Sequence, residues 1–208
     1  MKKGILLALF VLIGAQFLRA QDYYSSTYQD KPISLGITLS PNLSWMQYGD
    51  ANGYESTAKL GFSYGLAADF GFAPNYYFST GLLVNTMVSG ATTPVHEGTY
   101  RLQYVEIPLA LKLKSTQRYF RSYYGQFGFT SGFKVNAKEK VSPDYKRSEL
   151  EGANLLRLAL QIGGGVEWQL DHNLAFVTGI TYNNGFTKAM KPGSPKNSYF
   201  ALNFGVFF

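Results

Sequence analysis

Apolar and polar residues alternate with a period of two along most of this chain. In residues 100–114 (YRLQYVEIPLALKLK) the odd positions from Val105 onward are Val105, Ile107, Leu109, Leu111 and Leu113. The even positions are Glu106, Pro108, Ala110, Lys112 and Lys114. Such alternation marks a β-strand with one apolar and one polar face. Before Val105 the apolar parity is even (Tyr100, Leu102, Tyr104), so the pattern predicts a one-residue bulge at Tyr104–Val105 and sets Arg101 on the polar face.

The same reading predicts strands over 33–48, 60–72, 76–88, 123–137, 154–170, 174–183 and 199–208. Pro41 cannot donate to a ladder and implies a bulge or local break in the first of these. The connections 49–57, 89–99, 138–152 and 184–197 are long. Those at 73–75 and 171–173 are tight turns, and 115–122 is intermediate. Eight strands, joined alternately by long and shorter connections, predict an all-β fold: an eight-stranded antiparallel up-and-down transmembrane β-barrel over 33–208. Each strand reaches the ~9–11 residues that cross a bilayer at a tilt. Apolar faces would meet lipid, short turns would be periplasmic and long loops extracellular. Tyr76, Phe78, Tyr123, Trp168 and Phe176 near the short turns, and Trp45, Tyr100 and Tyr182 near the long loops, would form two interfacial girdles.

A soluble sandwich or lipocalin-like barrel would put its polar faces in water. Here those faces carry small residues instead, among them Gly61, Gly65, Gly71, Gly128, Gly132, Gly163, Gly165 and Gly205. Small residues with a few charges suit a narrow lumen.

Composition refines the picture in three ways. Residues 1–20 read as a cleaved secretory leader: Lys2 and Lys3, then an apolar run too short to span a bilayer, then Ala20. Residues 21–32 are a polar, Tyr-rich periplasmic lead-in. Without Lys2, Lys3 and Arg19 the balance is 16 basic against 13 acidic residues. That is too little and too dispersed for a nucleic-acid partner. The chain has no cysteine, which removes disulfides, thiolate metal sites and a lipid anchor on a leader cysteine.

The charged residues projected inward are Asp69, Arg101, Glu106, Lys112, Lys134, Arg157 and Glu167, with Lys114 near the periplasmic rim. An eight-stranded barrel is just wide enough for side chains to fill it, and buried charges must be paired. These residues therefore read as a structural plug, Glu106 and Glu167 against Lys112, Lys134 and Arg157, in preference to an ion path. Catalysis would need a nucleophile and a base. The two histidines, His96 and His172, fall in a loop and a turn, and nothing in the sequence fixes His96 against Ser89 or Glu97. No catalytic, cofactor or metal site is expected. The mixed-charge loop 138–152 reads as solvated surface that could also meet a partner. The last strand sets Phe204, Val206 and Phe208 outward, resembling the terminal signal read by the barrel-assembly machinery.

The strand containing Gln103, Tyr104, Val105, Glu106, Ile107, Pro108, Leu109, Ala110, Leu111 and Lys112 resembles the Y-[LV]-E-I-P-L-x-L-K strand of the PorT-like family of small outer-membrane barrels in Bacteroidetes-type bacteria. The leader, the LGFSYGLAADF strand and the final Phe208 extend the likeness over most of the chain. The resemblance implies an outer-membrane barrel in contact with membrane lipid and lipopolysaccharide, without catalytic residues. The family namesake is needed for type IX secretion, so other outer-membrane or secretion-system proteins are the implied partners. A small passive porin and, below it, a lipid-modifying enzyme are the competing functions.

The predicted outward position of Leu109 gives a first test. Leu109→Arg sets a charge near the bilayer midplane and is expected to cost about 2–4 kcal/mol of assembled stability. Heat-modifiable gel mobility of the membrane fraction reads this as loss of the folded form.

Overall fold

The computed structural model describes residues 33–48, 55–92, 97–141, 147–150, 152–189 and 194–208. The proposed leader 1–20, the lead-in 21–32 and His96 lie outside the described residues. The strands are β1 (Ile33–Gln47), β2 (Glu55–Ala73), β3 (Tyr76–Thr92), β4 (Glu97–Lys114), β5 (Arg121–Val141), β6 (Arg147–Glu149), β7 (Leu156–Asp171), β8 (Leu174–Lys188) and β9 (Lys196–Phe207). All pairings are antiparallel. The order β4-β3-β2-β1-β9-β8-β7-β5 closes on itself through β4–β5, so eight strands form a closed barrel. The three-residue β6 is an accessory strand on the upper part of β5, where Lys138–Lys140 pair with Arg147–Glu149.

Alternation decides which way each side chain points. Ile33, Leu35, Ile37, Leu39 and Leu43 of β1 are exposed on the outer wall, as are Leu60, Leu66 and Phe70 of β2 and Phe127, Phe129 and Phe133 of β5. Phe200, Phe204, Val206 and Phe208 complete the band on the last strand. No helix among the described residues is long and apolar enough to cross a membrane. The apolar band is made by strands. At its long-loop edge Trp45 stacks on Tyr182 at 6.3 Å, and Phe200 lies 4.7 Å from Tyr182.

The strands run further than the alternation suggested on the long-loop side. β3 and β4 extend to Thr92 and from Glu97, so most of the expected loop 89–99 is strand. Part of the expected loop 138–152 is likewise the β5–β6 ladder. Polar residues there still pair their backbones across strands, which a hydrophobic pattern cannot report.

Pro41 causes no bulge. β1 keeps one register with β2 throughout, and with β9 it merely skips Ser40 and Pro41 between Leu39↔Phe204 and Asn42↔Ala201. Pro108 behaves alike: its pairing with β5 is continuous, while the β3 ladder skips Ile107 and Pro108. A missing donor is absorbed by an omitted rung on one side.

The bulge predicted on β4 is absent; the extra residue at this height lies on the neighbouring strand. Gln103 pairs with Asn136 and Tyr104 with Lys134, leaving Val135 of β5 as the extra residue. β4 therefore keeps one parity from end to end. Leu102, Tyr104, Glu106, Ala110 and Lys112 all point into the barrel, and Arg101 points outward and is exposed. This corrects the placement of Arg101 in the lumen and of Leu102 and Tyr104 on the lipid face. Tyr100 likewise packs against the interior cluster and is not a girdle residue.

Glycine lets interior rings lie directly on the wall. A Cβ at Gly179 would stand 2.3 Å from the Tyr124 hydroxyl and 2.7 Å from the Gly164 carbonyl, and one at Gly36 would stand 2.7 Å from the Phe207 ring. At Gly125, on the outer wall, a Cβ would meet nothing within 4 Å. Gly179→Ala is expected to destabilise the barrel by about 1–3 kcal/mol through overpacking, and Gly125→Ala to be near neutral. Urea unfolding of the reconstituted protein compares the two.

Candidate functional site

The interior is filled in three tiers. Towards the long loops Met46, Met87, Leu102, Tyr104, Ala137 and Tyr199 form one buried apolar cluster, joined by Leu150, Ala153 and Ala189. Apolar residues at this end are held from β1, β3, β4, β5 and β9, so the cluster spans the lumen.

Beneath it lies a network centred on Glu106 and Arg157. Arg157 donates through Nη1 to Glu106 Oε1 at 2.9 Å, and through Nη2 to Asn183 Oδ1 at 2.7 Å and the Asn197 carbonyl at 3.0 Å. Glu106 Oε2 accepts from Asn85 Nδ2 and from the Tyr199 hydroxyl, both at 3.0 Å. Asn42 Nδ2 donates to Asn85 Oδ1 at 3.0 Å. Asn183 Nδ2 donates to Thr130 Oγ1 at 2.9 Å, and Thr130 in turn to Gln161 Oε1 at 2.8 Å. The chain of bonds runs through β1, β3, β4, β5, β7, β8 and β9. Both charges are almost fully buried, so each requires the other together with its neutral donors and acceptors.

The third tier is at the short-turn end. Lys112 Nζ lies 2.5 Å from Asp69 Oδ2 and 3.5 Å from Glu167 Oε2, and Lys114 Nζ lies 2.8 Å from Glu167 Oε1. Aromatic faces complete it: Lys112 sits 4.7 Å from the Tyr124 ring centroid and 5.3 Å from that of Phe207, and Lys114 sits 4.3 Å from that of Tyr77. A cavity of about 110 Å³ separates the second and third tiers, lined by Ser63, Asp69, Lys112, Gln126, Gln161 and Asn203 among others.

Of the seven inward charges expected from sequence, Asp69, Glu106, Lys112, Arg157 and Glu167 meet in these two tiers. The pairings differ from the expected set. Glu106 takes Arg157 alone, and Asp69 joins Glu167 around Lys112. Lys134 pairs with neither acid and donates to the Ala153 carbonyl at 2.5 Å, tying the segment before β7 to the wall. Arg101 is outside. The amides and hydroxyls that complete the network, Asn42, Asn85, Thr130, Asn183 and Tyr199, carry a fainter sequence signal than the charges: an amide or hydroxyl at an inward position, where a small residue would otherwise do.

The residues weighed for catalysis do not converge. Ser89 is fully buried on the lumen side opposite Tyr100, and Glu97 is exposed at the rim. His172 is exposed in the β7–β8 turn, where its backbone N–H donates to the Asp171 carboxylate at 2.7 Å and holds that carboxyl below its ordinary range. Among the described residues no group of histidine, cysteine or carboxylate side chains could hold a metal ion.

A closed, eight-stranded antiparallel barrel with an apolar outer band and a polar, ion-paired interior defines a transmembrane β-barrel protein. The family model described as outer membrane protein beta-barrel domain matches residues 15–191, and the chain belongs to that family and to the outer membrane. Among solved structures, Neisserial surface protein A aligns with a TM-score of 0.53 and 13% identity over 85% of this chain and 96% of that one. The outer membrane protein OprG from Pseudomonas aeruginosa aligns with a TM-score of 0.55 and 15% identity over 85% and 94%. At these identities the likeness is one of fold. A search of curated proteins finds no match.

The two arginines give a matched test of the interior. Arg157→Gln leaves Glu106 buried without its counter-charge and is expected to cost about 3–5 kcal/mol. Arg101→Gln changes an exposed outer position and is expected to stay within about 0.5 kcal/mol of wild type. Denaturant midpoints in the same lipid read both.

Proposed function

We propose that this protein is a non-conducting, non-enzymatic scaffold of the outer membrane whose working surfaces are its outer wall and its long-loop rim. One observation carries the reading: the lumen is crossed by an apolar cluster and by two ion-paired tiers, so side chains occupy the path that a pore would need. The Gln103–Lys112 strand supports a finer kinship with the PorT-like proteins, and with it an accessory role in type IX secretion beside other outer-membrane components. In that role the barrel holds its partners in the plane of the membrane. Its predicted leader, its periplasmic short turns and its extracellular long loops belong to the same reading.

The cavity of about 110 Å³ between the charged tiers favours the small-porin alternative. Purified wild-type protein in planar bilayers is expected to give no stable single-channel steps, and ion-sized steps would exclude the scaffold reading. Gentle solubilisation of outer membranes is expected to co-purify secretion components, whereas a lone monomer would count against the secretion role.

A further inference from the structure

The outward turn of Arg101 exposes a site that a lumen position would have hidden. Arg101 on β4 stands directly opposite Lys138 on β5, and both lie on the outer wall. The next rung on the same face pairs Thr99 with Lys140, about 7 Å further along the strands. Lys59 of β2 reaches the same rung, donating from Nζ to Thr99 Oγ1 at 2.6 Å. Register also sets Glu149 opposite Lys138 and Arg147 opposite Lys140. The other acids of this face, Glu55 and Glu97, stand one rung further out, opposite Thr92. The two rungs therefore carry a net positive charge. Among the residues whose side chains are described, which leaves out Arg147 and Glu149, none forms a salt bridge with Lys59, Arg101, Lys138 or Lys140.

Like charges directly opposite each other across a ladder are unfavourable. An anion lying against Arg101 and Lys138 removes that cost. Height along the barrel says which anion. Below the cations the same face is lipid-facing: Leu113, Leu109 and Val105 on β4, and Phe129, Phe133 and Val135 on β5. One polar rung intervenes, Gln103 with Asn136, and Gln103 Nε2 donates to Thr86 Oγ1. The cations follow at once, on the long-loop side. A tilted β5 climbs roughly 30 Å from Tyr123 to Val135 at a strand rise of about 3.3 Å per residue, about the depth of the hydrocarbon layer. The cations thus lie at headgroup level. Elsewhere on the barrel, the long-loop edge of the apolar band carries the aromatic cluster of Trp45, Tyr182 and Phe200.

We infer that Lys59, Arg101, Lys138 and Lys140 form a binding site for the phosphorylated headgroup of an outer-leaflet glycolipid, with the acyl chains lying on the Val105–Phe133 wall below. The assignment to the outer leaflet rests on the extracellular orientation of the long loops given under the proposed function.

The full chain, refolded in detergent, is titrated with diphosphoryl lipid A and followed by native mass spectrometry. The expected result is a lipid A adduct that Arg101→Gln/Lys138→Gln weakens by roughly thirty-fold, given what two cations contribute at a charged membrane surface. Heat-modifiable mobility confirms that this variant folds. Equal binding by wild type and variant overturns the site. Equal binding of dephosphorylated lipid A overturns phosphate recognition. Displacement of lipid A by inorganic pyrophosphate at equal concentration overturns a lipid ligand in favour of any phosphate. Orientation is read separately: Lys196→Cys, in a chain with no other cysteine, is expected to react with an impermeant maleimide on intact cells. Absence of that labelling, with lipid A binding intact, overturns the outer-leaflet source while leaving the cation site.

Discussion

Inside a bilayer no water can satisfy a backbone N–H or C=O, and each orphaned group costs several kcal/mol. The rest of this structure follows from that constraint. The sheet must close, and β4 meets β5 along a ladder from Gly98↔Val141 to Lys114↔Tyr124. The last strand must be sealed to the first, and Leu35 and Phe208 exchange two backbone bonds of 2.8 and 3.1 Å to do so. Even the two prolines inside membrane strands are handled within this rule, each by skipped rungs towards one neighbour while the other ladder stays continuous.

Closure then sets the chemistry of the two faces. Eight strands leave an interior only as wide as the side chains that fill it. Filling it with polar residues alone would demand a partner for every donor and acceptor. The protein divides the task. Apolar side chains occupy the long-loop end, where Tyr104 and Leu102 pack with Met46 and Met87. The interior ion pairs are confined to two tiers, each with acids and bases from different strands. Because Glu106, Arg157 and their amide and hydroxyl partners come from seven strands, the middle tier ties the wall together across the lumen as well as along the ladders.

The fold was legible because alternation is forced wherever one face meets lipid. Strand number, order and the outward identity of residues such as Leu109, Phe204 and Phe208 all follow from it. The interior was legible only in part. Glu106, Lys112 and Arg157 stood out as charges at polar positions, but their partners depend on which strands face each other across the lumen, and period-two reading carries no such information. Arg101 was misplaced for a related reason. An apolar run of the opposite parity (Tyr100, Leu102, Tyr104) reads in sequence as a lipid face, although a lumen plug is apolar too. β4 itself holds no extra residue; the bulge at this height is Val135 on β5, which shifts the parity of β5 and leaves that of β4 unchanged. Period-two reading also hid the outer-wall cations, which come together only when β4 and β5 are set in register.

The central claim is that β4 keeps one parity from rim to rim, lipid outside and a filled lumen inside. Single cysteines placed one at a time along 99–113, spin-labelled in bilayers, test it through their accessibility to oxygen and to a polar nickel chelate. The structure predicts oxygen exposure at odd positions from Val105 to Leu113, polar exposure at Arg101 and Gln103, and shielding from both at Leu102, Tyr104, Glu106 and Ala110. An inversion of phase at Tyr104, with Leu102 open to lipid and Arg101 shielded, would contradict it.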